Sequence, residues 1–170
     1  MIYLDSAAVV KLVHAEPESA ALRGWLDERA ETPWISSMLT EIESSRALAR
    51  YAPAAASRLP AVLDEIDLID LDQRIRMLAR TVTPATVRSL DAIHFGAALR
   101  SRLSLTSFVT YDKRLLDAAR QQVCPSTRLP DSNRRHVARH RDSDKANDNG
   151  PGQRQPEPDV LRRFPGLDLC

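Results

Sequence analysis

Long apolar runs are missing from this 170-residue chain, in which no window approaches the roughly 18 consecutive apolar residues that a membrane-spanning helix needs. The N-terminus lacks a basic stretch followed by an apolar one, so a secretory leader is not expected and the cytoplasm is the predicted compartment. Cysteine is scarce: Cys124 and Cys170 are too few for a disulfide framework, and neither has metal-ligand neighbours. Net charge is nearly absent as well, because 24 Lys and Arg offset 23 Asp and Glu to leave +1. Average charge therefore says nothing about nucleic acid, and any electrostatic argument must rest on local clusters. No internal repeat is visible. What is present, 43% hydrophobic residues in a chain of this length, suffices for one core and favours a single domain with an appendage.

The stretch Met1-Ile-Tyr-Leu-Asp-Ser6 predicts a strand with no polar face that stops at Asp5. Such a strand suits the centre of a parallel sheet, covered above and below. Ser6 to Val13 is predicted helical, which puts Asp5 in a strand-to-helix turn, where open α/β sheets bind ligands. A helix over 19–30, a strand at 33–36 and a helix over 38–52 follow. Pro53 opens a further helix that Pro60 bends, 66–71 alternates as a strand, and 72–82 returns to helical spacing. Ser89 is placed to cap a helix over 89–99, with Asp91 inside its first turn. Ser107-Phe-Val-Thr-Tyr111 is a second strand that ends in an aspartate, Asp112, before a helix over 113–122. Strands interleaved with helices predict βαβ units and a mainly parallel sheet with helices on both faces. Composition changes after Pro130, so the folded domain is expected to span 1–130. Residues 131–170, with the basic run Arg134 to Arg141, are expected to be a polar, disordered extension dispensable for folding.

Taken singly, Asp5, Asp91 and Asp112 are helix-start acids of a common kind, each worth about 0.5 to 2 kcal/mol as a cap. Together they are a different matter. Two unit charges about 4 Å apart repel by about 4 kcal/mol at an effective dielectric near 20, so an acid cluster calls for cations or protons. Hard oxygen donors select Mg²⁺ or Mn²⁺, and such ions next to a phosphodiester favour its hydrolysis. The helix over 38–52 offers two further acids, Glu41 and Glu43. They lie about 200° apart, so both cannot enter one site, and Ile42 between them leaves the choice open.

Four stretches then resemble the PIN-domain ribonucleases, in particular the VapC-type toxins of toxin-antitoxin pairs: Ile2-Tyr-Leu-Asp-Ser-Ala-Ala-Val-Val-Lys-Leu12, Ser36 to Leu48, Leu90-Asp-Ala-Ile-His-Phe-Gly-Ala-Ala-Leu99 and Phe108-Val-Thr-Tyr-Asp-Lys-Arg-Leu115. The resemblance covers about residues 1–130. It implies a three-layer α/β/α sandwich, divalent-metal-dependent endoribonuclease activity, a homodimer and inhibition by a small cognate antitoxin. It also implies Asp5, Asp91 and Asp112 as metal-holding acids, with Ser6 and Thr110 in support. The family's Glu-x-x-Arg-Ala-Leu pattern falls on Glu43, Arg46, Ala47 and Leu48, which selects Glu43 as the second acid and leaves Glu41 a surface acid.

The chain departs from the family at Ala7, where a hydroxyl or amide residue is usual. After Gln122, Val123 to Pro130 is a poor version of the family's last strand. Ala7 motivates a second reading, a PIN-fold scaffold that binds RNA or protein without cutting. His94 is expected to be a hydrogen-bonded structural histidine. Asp117 is expected to pair with Lys113 or Arg114, and Trp25 and Trp34 to serve packing or a dimer surface. Lys11, Arg46 and Arg50 are candidate contacts to RNA phosphates, and Arg134 to Arg141 a source of sequence-independent RNA affinity.

Overall fold

A computed structural model describes residues 1–123 and 160–162. Five strands form one sheet: β1 (Ile2–Leu4), β2 (Trp34–Ser37), β3 (Ile66–Ile69), β4 (Ser107–Val109) and β5 (Val160–Arg162), in the spatial order β3-β2-β1-β4-β5. The first four are parallel, and β5 runs antiparallel to β4. β1 is central, as its apolar sequence requires. The chain extends the sheet on one side through β2 and β3 and then returns to the other side at β4, so the direction of strand order reverses between β1 and β4. Asp5 and Asp112 follow those two strands, and the open crevice of an α/β sheet lies at such a reversal.

Side-chain alternation along the strands builds two cores. Ile2 and Leu4 of β1 and Val109 of β4 point to one face, against α1 (Ser6–Val13), α2 (Ser19–Asp27), α3 (Leu39–Tyr51) and α4 (Leu59–Leu63). Pro53–Arg58 forms a 3-10 helix that leads into α4, with Pro60 in its first turn. Tyr3 and Phe108 point to the other face, against α5 (Gln73–Arg80), α6 (Ser89–Arg100) and α7 (Lys113–Val123). There Phe108 stacks on Tyr3 with ring centroids 5.4 Å apart and meets Phe95 of α6 edge-on at 5.7 Å. These are the three layers of an α/β/α sandwich. Among the described residues no helix is long and apolar enough to cross a membrane.

Two features set where α6 lies. At Gly96 it passes so close to α5 that an added Cβ would stand 3.0 Å from Ala79 N and 3.0 Å from Ile75 O, so only glycine fits without a shift. Asp72 ties the two helices at the other end: Oδ1 accepts from Ile75 N–H at 2.8 Å as the cap of α5, and Oδ2 accepts from Arg100 Nε at 2.9 Å. The Ile75 amide, with help from Arg100, holds the Asp72 carboxyl below its ordinary pKa. A depressed carboxyl stabilises the fold above its unfolded pKa, and that contribution disappears as pH falls through the folded value. Asp72→Asn keeps a capping oxygen for Ile75 and removes the charge together with the oxygen that accepts from Arg100. It is therefore expected to lower the thermal midpoint at neutral pH, and the deficit should shrink as pH falls through the depressed pKa of the folded wild type. A deficit that stays the same as pH falls would assign the effect to lost packing.

Three local expectations change. Ser89 does not cap α6; Arg88 holds the capping position without a side-chain bond, and Ser89 is the first helical residue. Asp117 faces Arg120 at 3.7 Å on the next turn of α7, in place of Lys113 or Arg114. Val160–Arg162, inside the segment expected to be a disordered extension, adds the antiparallel edge strand β5 beside β4. The rest of that extension, including Arg134 to Arg141, lies outside the described residues, as do Cys124 to Pro130.

Candidate active site

Asp5 ends β1 and caps α1, its Oδ1 accepting from Ala8 N–H at 2.8 Å. Its Oδ2 accepts from the hydroxyl of Thr110, the residue after β4, at 2.5 Å. Thr110 Oγ1 in turn accepts the Asp112 N–H at 3.1 Å. One hydroxyl thus links the acids that follow the two central strands. Asp112 caps α7, with Oδ1 accepting from the amides of Arg114 at 2.7 Å and Leu115 at 3.1 Å. Both strand-end aspartates do the capping work expected of them, and the same bonds fix their carboxylates at the sheet's C-terminal edge.

Glu43 reaches this edge from α3. Its Oε2 is 2.6 Å from His94 Nε2 and accepts a hydrogen bond from Ser6 Oγ, which is itself 2.9 Å from Nε2. On the other side of the ring, Nδ1 is 2.9 Å from the hydroxyl of Tyr3. Burial, joined by the charge of Asp5, pushes the Tyr3 phenol well above its ordinary pKa, so it keeps its proton. When that phenol donates to Nδ1, Nε2 carries a hydrogen and donates to Glu43, which fixes tautomer and ring plane together. His94 is 3% exposed and Tyr3 fully buried. His94 is therefore a hydrogen-bonded interior histidine, as expected. Its partner, however, is a site carboxylate, a connection that sequence reasoning missed.

Burial alone would raise the Glu43 carboxyl, but the hydrogen bonds of His94 and Ser6 and the charge of His94 outweigh it and hold the pKa below the ordinary value. Glu41, by contrast, is exposed. Asp91, half-buried in the first turn of α6, moves upward, first through burial and then through the charges of Asp112 and Glu43, against the pull of Arg88 and His94. Asp5 also moves upward. Burial is the main cause and Asp91 adds to it, while Thr110, the Ala8 amide and His94 oppose it. Asp91 thus lies within reach of the charges of Asp112 and Glu43, and Asp5 within reach of that of Asp91.

All four offer only carboxylate oxygens, the donor chemistry of Mg²⁺ and Mn²⁺. Burial is the main cause that raises the pKa values of Asp5 and Asp91, neighbouring carboxylates add to it, and a divalent ion would favour the charged form of both. Among the described residues, no three His, Cys, Asp or Glu side chains already close on one point at ligand spacing.

A groove of about 440 Å³ opens beside the acids, bordered by Ser6, Glu43 and Asp112 and continued by residues of α1 and α3. Lys11 belongs to its wall. The Lys11 side chain is 11% exposed, and its ammonium is ion-paired with Glu16 and, at 2.8 Å, with Glu18, so it is not a free cation for phosphate. Arg46 and Arg50 are exposed on α3, Arg50 lying over the ring of Tyr51 at 5.1 Å. Trp25 is buried in the first core, and Trp34 packs against it.

A parallel sheet whose order reverses between two strands, each followed by an aspartate, with Glu43 of α3 bonded to Ser6 at the same edge, defines the class. The PIN domain family model matches residues 2–121, and the chain belongs to that family. Within it the chain is of the VapC type. It is 46% identical over 121 residues to Ribonuclease VapC35 of Mycobacterium tuberculosis, covering 70% of this chain and 90% of that protein. It is 43% identical over 124 residues to Ribonuclease VapC47 of the same species, covering 71% and 91%. Ribonuclease VapC46 is 43% identical over 119 residues, covering 70% and 90%.

Proposed function

We propose that this protein is a Mg²⁺- or Mn²⁺-dependent endoribonuclease, the toxin of a type II toxin-antitoxin pair. The observation that supports the reading is the placement of Asp5 and Asp112 after the two strands between which the order reverses, joined through Thr110 and with Glu43 bonded to Ser6 beside them, in a chain whose relatives are named ribonucleases. Asp5, Asp91 and Asp112 hold the metal. A bound divalent ion supplies the charge that activates water and neutralises the phosphate. Thr110 and the amides of Ala8, Arg114 and Leu115 keep the Asp5 and Asp112 carboxylates oriented before substrate arrives. Glu43 commits Oε2 to Ser6 and His94, which leaves Oε1 to accept a proton from water in the groove. The RNA substrate, a cognate antitoxin, a homodimer and a cytoplasmic location complete the reading.

The scaffold reading rested on Ala7. That residue is exposed at the groove and interrupts none of the bonds among Ser6, His94 and Glu43, so the ribonuclease reading stands ahead of it. Purified protein freed of any antitoxin should cut structured RNA with Mg²⁺ or Mn²⁺ and stop with chelator. Asp5→Asn should cut at least about 100-fold more slowly, the scale of a lost metal-charge contribution. Equal cleavage by wild type and Asp5→Asn would mean a contaminating nuclease or a misplaced site.

A further inference from the structure

The groove beside the acids changes character one helical turn away from them. Along α1 from Ser6 come Ala7 and Val10, and along α3 from Glu43 comes Ala47; these methyl groups face a space bordered by Tyr111. The remaining wall is Lys11, whose Nζ lies 4.7 Å from the Tyr111 ring centroid, and Glu16, which Lys11 holds. Glu16, Glu43 and Asp112 give the groove three carboxylates against one ammonium that is already ion-paired. A phosphate is repelled there. The uncharged part of a nucleotide is not, and methyl groups beside an aromatic ring offer the flat apolar contact that the face of any base accepts. The volume of about 440 Å³ falls within the range of about 300–1,000 Å³ for small-ligand sites.

A base seated there would turn its edge toward Glu16. Lys11 occupies one of its oxygens, Oε2. A carboxylate has two oxygens with about four acceptor positions, so Glu16 retains capacity for a donor such as an exocyclic amino group. Resting on the ribonuclease reading above, we propose that the groove between α1 and α3 is a subsite for the base of one unpaired nucleotide adjoining the cleaved phosphate. The subsite favours the amino-bearing bases cytosine, adenine and guanine over uracil. Lys11 then positions Glu16 and shapes the wall, and the charge it would bring to a phosphate is spent within the protein.

Two measurements on the full chain test this. In the first, cytidine and uridine are titrated while the methyl resonances of Val10 and Ala47 are followed by NMR; cytidine should move them and uridine should do so less. In the second, a short RNA with cytosine on both sides of its cleavage point is compared with versions abasic at one flanking nucleotide or the other, using wild type and Ala47→Leu, which fills the groove. The ratio of kcat/KM on intact RNA to that on the relevant abasic RNA should fall about tenfold in Ala47→Leu, the order of one lost base stack. If Ala47→Leu fails to fold, Val10→Phe serves the same purpose. An unchanged ratio overturns the subsite, as do methyl groups that ignore cytidine. Methyl groups that move with N-acetylarginine amide and not with cytidine assign the groove to a protein ligand instead. A wild type that cuts none of the RNAs defeats the ribonuclease reading separately, and the cytidine titration then decides the subsite alone.

Discussion

Glu43→Gln is expected to slow single-turnover cleavage of a labelled RNA by about 100-fold or more, whereas Glu41→Gln should stay within about twofold of wild type. The two residues are neighbours on one helix, yet only Glu43 turns inward, where His94 Nε2 lies 2.6 Å from its Oε2 and Ser6 donates to the same oxygen. A glutamine there loses the charge and sets an amide NH₂ against groups that donate, unless it flips its oxygen toward them and turns the NH₂ to the water-side position. The first arrangement leaves toward water a carbonyl oxygen that lacks the charge to take a proton, and the second leaves no acceptor there at all. Equal losses in both variants would mean that α3 is rotated from the orientation described. A large loss in Glu41→Gln alone would move the second acid to that residue.

Phe108→Ala is expected to destabilise the fold by about 3 to 5 kcal/mol in equilibrium denaturation, the usual cost of truncating a buried phenylalanine. Phe108 is fully buried on β4, stacked on Tyr3 and edge-on to Phe95, so it joins the central strand pair to α6. Its removal also frees the Tyr3 ring, whose hydroxyl aligns His94. Activity of the folded fraction should therefore fall in addition to stability. A loss below about 1 kcal/mol would show that the second core collapses onto the gap or was loosely packed from the start.

Much of this architecture was legible because the relevant signals were local. The all-apolar β1, the aspartates that follow β1 and β4, and the alternation of strands with helices located Asp5 and Asp112 from sequence alone, and the helix start at Ser89 located Asp91. The choice between Glu41 and Glu43 was not settled by hydrophobic pattern, and α3 shows why. Its buried face is Thr40, Ser44 and Leu48, while Ile42 is 56% exposed. Small hydroxyl side chains suit that face because Ser36 Oγ donates to Leu4 O at 2.5 Å and is 2.5 Å from Thr40 Oγ1, a polar seam between β2 and α3. An apolar-stripe argument has no purchase on such a helix. The partnership of His94 with Tyr3 and Glu43 spans 91 and 51 residues of chain, so no short-range spacing announces it. β5 was weakly signalled for a different reason, since Val160 and Leu161 in a polar segment carry too little apolar surface to mark a strand.

The close pass at Gly96 has an evolutionary consequence. Asp91 and His94 ride on the same helix, whose distance from α5 is limited by a single hydrogen atom at position 96. A mutation that adds even a methyl there must move backbone against backbone and carries both site residues with it. Selection on the chemistry is thus felt by a residue that has no chemistry. Among descendants of this chain, glycine persisting at position 96 would record the thickness of a helix contact, and its loss would have to be accompanied by repacking along Ile75 and Ala79.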